Sequence, residues 1–115
     1  MTAQELHAML KGFQEKKGYF FNRDTDMVMQ LMEMLLKNKE RYGHMACPCR
    51  LASGDAAQDK DIICPCAYRA EDVAEYGACF CGLYVSKEWN EDALPHIVVP
   101  ERRPPEKVLA ALGLL

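Results

Sequence analysis

Six cysteines fall in three pairs of one spacing, Cys47-Pro-Cys49, Cys64-Pro-Cys66 and Cys79-Phe-Cys81, and no other feature of the sequence limits the fold as tightly. Thiols this close along a chain either cross-link it or bind metal, and the compartment decides between the two. The opening stretch MTAQELHAML lacks a basic segment followed by an apolar run, so the chain reads as cytoplasmic. In a reducing compartment paired cysteines hold metal or do redox chemistry rather than build a disulfide scaffold. Structural zinc sites usually separate their cysteines by two to four residues, which the single-residue spacing here does not match. Six thiols also exceed the four that a single [4Fe-4S] cluster takes. A dithiol beside such a cluster accounts for the surplus pair, since a cluster passes single electrons whereas a disulfide takes two. Spacing alone does not say which four bind and which two react.

A chain of 115 residues fits one domain, 1–115, whose core is small enough that a metal or covalent staple would help it. A net charge of −3 carries no nucleic-acid footprint. No run approaches the roughly 18 apolar residues of a membrane span. Neither nucleic acid nor membrane is expected as a partner.

Periodicity predicts a mainly α fold: a small single domain of short helices with irregular loops carrying an iron–sulfur cluster. Thr2 and Glu5 form a capping box, and Leu6, Met9, Leu10 and Phe13 mark one face of a first helix over about residues 3–17, with Gly18 as its stop. Asp24 and Asp26 suit the start of a second helix with a stripe of Met27, Val28, Leu31, Met32, Met34 and Leu35; Lys37, Lys39, Arg41 and Gly43 suit its end. Short helices are expected over Asp55–Lys60, Ala70–Glu75 and Ser86–Asp92, and a last one after Pro104-Pro105. The segment HIVVPERRPP reads as extended, and no alternation argues for a sheet. The methionines read as core filling.

The stretches NKERYGHMACPCRL (Asn38–Leu51), DKDIICPCAYR (Asp59–Arg69) and EYGACFCGLYVS (Glu75–Ser86) resemble the catalytic chain of ferredoxin-thioredoxin reductases and their bacterial and archaeal relatives. Three ordered Cys-x-Cys pairs, with proline in the first two and arginine after the first, carry the likeness. The resemblance implies a ferredoxin-dependent disulfide reductase with Cys47, Cys64, Cys66 and Cys79 as ligands of a [4Fe-4S] cluster. It leaves Cys49 and Cys81 as the redox-active disulfide. By the same resemblance Cys49 attacks the disulfide of thioredoxin or a similar protein, while Cys81 stays against the cluster. The implied partners are a ferredoxin-type electron donor, the thioredoxin-like target and, as in plant-type enzymes, a small variable subunit.

The sequence departs from that pattern at Phe80, where plant-type chains carry histidine, and in its spacing: fourteen residues between the first and second pairs and twelve between the second and third. His44, three residues before Cys47, reads either as a solvated loop residue or as a substitute near the site. Arg50 reads either as solvated or as lowering the pKa of Cys49 or meeting an acidic partner surface. His7 and His96 suggest no function. Pro48 and Pro65 stiffen the ligand loops. Tyr68, Tyr76, Tyr84 and Trp89 are expected to pack around the cluster. Two other classes fit six cysteines: a zinc-binding interaction module, in which no thiol is singly reactive, and a simple iron–sulfur electron carrier, which needs no disulfide.

Overall fold

The computed structural model describes residues 1–114. Helix α1 (Ala3–Glu15) opens on the capping box expected at Thr2 and Glu5, each side chain bonding the other's backbone N–H. Helix α2 (Thr25–Tyr42) starts where the Asp24 carboxylate accepts from the Met27 N–H at 3.1 Å. It stops at Gly43, whose φ of 84° is the left-handed conformation glycine adopts without a Cβ penalty. The remaining elements are α3 (Arg69–Tyr76), α4 (Lys87–Asn90, capped by Ser86) and α5 (Pro105–Ala111). These follow the periodic reading to within a few residues. No helix among the described residues is long and apolar enough to cross a membrane.

Strands β1 (Phe20–Phe21) and β2 (Tyr84–Val85) pair antiparallel, Phe20 opposite Val85 and Phe21 opposite Tyr84. At two residues each they are too short to alternate, and so left no trace in the pattern. Helices α1 and α2 pack on one another and on this ribbon. Leu6, Val28, Leu31, Met32, Leu35, Leu83 and Tyr84 form the main core, and Cys79 is buried in it. Burying such side chains contributes roughly 1.5–3 kcal/mol each.

Three expectations fail. Of the stripe expected on α2, Met34 is exposed, because Val28, Leu31, Met32 and Leu35 take the inward positions. On α1, Met9 and Phe13 are exposed, because the inward position goes to Gln14, whose side-chain oxygen accepts from Arg69 Nη1 at 2.6 Å. Over 55–60 no helix extends. Asp55 caps a single turn, bonding the N–H groups of Ala57 and Gln58, and a 3-10 turn follows at Lys60–Ile62. The Asp59 carboxylate folds back onto the N–H groups of Ser53 and Gly54, which gives this backbone an alternative to helix.

Candidate metal and thiol centre

Backbone bonds between separated loops assemble the cysteines. The Cys47 N–H bonds Ile62 O at 2.7 Å and the Cys64 N–H bonds Met45 O at 2.8 Å, which lays the first cysteine loop against the second. The Cys79 N–H bonds Tyr84 O at 2.9 Å, and the Gly82 N–H returns to Cys79 O at 2.9 Å, curling the third pair off β2. Gly82 takes a φ of 76° in that turn. Cys47, Cys64, Cys66, Cys79 and Cys81 line one pocket, together with Arg50, Arg69, Phe80 and Tyr84. Cys49 stands outside this lining and is exposed, whereas Cys47 and Cys79 are buried. All six are free thiols, and among the described residues no three His, Cys, Asp or Glu side chains close on the position of a single ion.

The thiols interact closely enough to divide charge unequally. The neighbouring thiols of Cys49 and then Cys81 lower the pKa of Cys47 to about 3. The proximity of Cys47 in turn pushes Cys49 up to about 11. Cys81 lies 3.8 Å from Cys79, and the neighbouring sulfurs of Cys47, Cys49 and Cys79, together with burial, raise its pKa. The Cys81 bond and the Tyr84 N–H, 3.3 Å from Cys79 Sγ, lower Cys79 to about 7. Burial raises Cys64 and Cys66.

Arg50 answers the two readings open for it with neither. Its side chain is 1% exposed and points away from solvent, toward the sulfurs of Cys66 (3.4 Å) and Cys47 (3.9 Å) rather than Cys49. Glu101 grips the guanidinium through Nε and Nη2 at 2.8–3.1 Å. The Phe80 ring lies 4.5 Å beneath it and the Tyr68 ring 5.2 Å away. Phe80 thus packs beneath the cation that reaches the thiols. His44 is not solvated: its ring bonds the fully buried Asp59 at 2.8 Å and so tethers the loop ahead of Cys47.

Of the four aromatic residues expected at the centre, Tyr84 lines the pocket and Tyr68 packs beside Cys47. Tyr76 and Trp89 instead join a separate cluster with Ala78, Val85 and Val99, and Trp89 stacks on His96 at 3.6 Å. The Tyr84 hydroxyl is buried without a hydrogen-bond partner, and the neighbouring Cys64, Cys79 and Cys81 sulfurs, after burial itself, push its pKa up. An unpartnered buried hydroxyl costs about 1–3 kcal/mol unless something accepts from it. With soft cysteine sulfurs as its metal-ligating groups, the pocket fits a sulfur-ligated group that also accepts hydrogen bonds.

Family comparison settles the lineage. A profile of the ferredoxin thioredoxin reductase catalytic beta chain matches residues 1–101. The chain belongs to that family. It is 30% identical over 95 residues to the ferredoxin-thioredoxin reductase catalytic chain of Pyropia yezoensis, covering 78% of each chain. It is 28% identical over 91 residues to that of Porphyra purpurea, covering 75% of this chain and 74% of the relative.

Three consecutive charged residues that the sequence reading passed over as extended chain lock the centre together. Glu101 holds Arg50 of the first loop; Arg102 reaches Asp72 at 2.8 Å, Glu71 at 3.1 Å and Glu75 on α3. Arg103, 4% exposed, bonds Asp61 of the second loop at 3.0 Å, and Tyr68 donates to the same carboxylate at 2.7 Å. Arg69 was missed as well: it lines the pocket with its guanidinium 3.8 Å over Tyr19 and 4.8 Å over Tyr84. For residues 101–103 the one signal was a run of charges between prolines, which by itself reads as exposed extended chain.

Proposed function

We propose that this chain is a disulfide reductase, a single folded unit over 1–115 working in the cytoplasm. Cys47, Cys64, Cys66 and Cys79 hold a [4Fe-4S] cluster and Cys49 with Cys81 form the redox pair. The observation that carries the reading is the division of the six thiols in a chain of this family: five line a pocket, and the sixth, Cys49, is exposed next to the pocket sulfurs of Cys47 and Cys81. When bound, the cluster supplies electrons one at a time from a ferredoxin-type donor. The chain's own residues do the rest. Two electrons and two protons open the Cys49–Cys81 disulfide to two thiols. The Cys49 thiolate attacks one sulfur of a thioredoxin-like disulfide, whose S–S bond breaks as the mixed disulfide forms, and the departing sulfur takes up a proton. Cys81 then attacks the Cys49 sulfur, expels the partner's second thiolate and restores the internal disulfide.

Arg50 and the Tyr84 N–H direct donors at the ligand sulfurs, the arrangement by which thiolate clusters are tuned. Docking faces for the donor, the target and a small variable subunit follow from the family reading. The test is anaerobic turnover of a thioredoxin-type protein with reduced ferredoxin. Wild type reduces the disulfide, Cys49→Ser does not, and Cys81→Ser accumulates the mixed disulfide because its resolving thiol is gone. Full activity in Cys49→Ser would refute the assignment.

A further inference from the structure

Beside the exposed Cys49 lies a groove of about 320 Å³ between α2 and the first cysteine loop. Met34, Lys37 and Arg41 stand along one side of α2 at helical spacing; Pro48 and Leu51, which bracket Cys49 and Arg50 in the chain, form the facing wall. Lys37 and Arg41 are exposed, and among the described residues neither makes an ion pair with a carboxylate. Two like charges four residues apart on a helix repel by about 0.2–0.5 kcal/mol. The helix dipole favours cations in the last turn, which accounts for Arg41 but not for Lys37, more than a turn from the end. In a chain of net charge −3 this is a local cationic surplus beside the one exposed thiol. Arg50 does not add to it, since Glu101 neutralises it and its side chain is buried. Met34 and Leu51 are 43% and 48% exposed, so the groove has an apolar contact on each wall beneath its charges.

We propose that this groove seats the disulfide-bearing protein that Cys49 attacks, and that Lys37 and Arg41 select a partner carrying acidic residues next to its disulfide. The inference rests on the reductase reading above. Opposite charge across a rim speeds encounter and fixes register, and the flexible Met34 adapts to the apolar residues of the docked loop. The reaction it serves needs no further reagent: the partner's S–S bond breaks, a Cys49–S bond forms, and the partner's other sulfur leaves as a thiolate that takes up a proton.

The experiment uses the cluster-loaded full chain carrying K37E/R41E. A thioredoxin-type protein with acidic residues flanking its disulfide is compared with the same protein bearing the corresponding amides. Hydroxyethyl disulfide, small and uncharged, is run in parallel. The expected result is a rise in KM of at least tenfold for the acidic protein with kcat kept, and a loss at least tenfold smaller for the amide form and for hydroxyethyl disulfide. Wild-type KM should climb with ionic strength while that of the double variant stays flat. An unchanged KM, or an equal loss for the acidic and amide proteins, overturns the groove assignment while the reductase reading stands. Preference for a small acidic disulfide over both proteins overturns it too. Wild type inert toward hydroxyethyl disulfide as well would remove the reductase reading itself, and the groove with it.

Discussion

Exchanging Arg50 for glutamine should make the proposed cluster harder to reduce, and exchanging its clamp Glu101 for glutamine should make it easier. Arg50 Nη1 lies 3.4 Å and 3.9 Å from two of the four proposed ligand sulfurs. If an added electron is shared over four thiolates, half of its charge falls on these two. Half a unit charge at about 3.6 Å and an effective dielectric of ~20 interacts with the guanidinium by about 2.3 kcal/mol, on the order of 100 mV for one electron. Glu101 holds the outer edge of the same guanidinium and offsets part of its field. A net fall on the order of 50 mV is therefore expected for Arg50→Gln, and a smaller rise for Glu101→Gln. Glu101 lies farther out and is about a third exposed, so water screens it. The assay is an anaerobic redox titration of the visible spectrum, with thermal melts to show that each variant is folded. Arg50→Gln should also lose about 2 kcal/mol of stability, because it gives up charge-assisted hydrogen bonds while Glu101 can turn to solvent. Shifts of the same sign in both variants, or none beyond about 10 mV in Arg50→Gln, would refute the electrostatic argument.

Asp61→Asn leaves the buried Arg103 without its anion and should destabilise the protein by about 3 kcal/mol, read as a lower urea midpoint at unchanged slope. The pKa values of Asp59 and Asp61 are lowered despite burial: Asp59 accepts from Ser53 and His44, and Asp61 from Tyr68 and Arg103. Their stabilisation is therefore complete above the unfolded-state pKa of about 3.9 and disappears as pH falls through the depressed folded values. Acid unfolding of Asp59→Asn should accordingly show a shallower limb below about pH 4 than wild type. In the cluster-loaded reduced protein Cys47 is held as a ligand and no longer raises the pKa of Cys49, so a limiting alkylating reagent should label Cys49, the one exposed cysteine, ahead of the other five, as peptide mapping would reveal; uniform protection would point to six structural thiols.

The helices were legible because each carries its own local instructions. Thr2 with Glu5, Asp24 with Gly43, Ser86 and Pro105 mark ends through contacts only a few residues away. The family, too, was legible from three cysteine pairs. Illegible were the features that join distant segments. The β1–β2 ribbon is too short to have a period, and Gln14 displaces Phe13 from the interior because of Arg69, 55 positions on. Arg50 was open in sequence between solvent, Cys49 and a partner surface, because nothing local announces Glu101, 51 positions away. The same holds for Arg102 and Arg103, whose partners lie on α3 and in the second cysteine loop. Charged residues that bury themselves in pairs read like any solvated run until the fold brings their partners to them.

The central claim meets its most direct test in the content of iron, acid-labile sulfide and zinc per chain on protein purified without oxygen. Four-thiolate ligation predicts about four iron and about four sulfide, retained in Cys49→Ser and lost in Cys64→Ser. Stoichiometric zinc without sulfide would contradict the account and leave the six cysteines as a structural metal site.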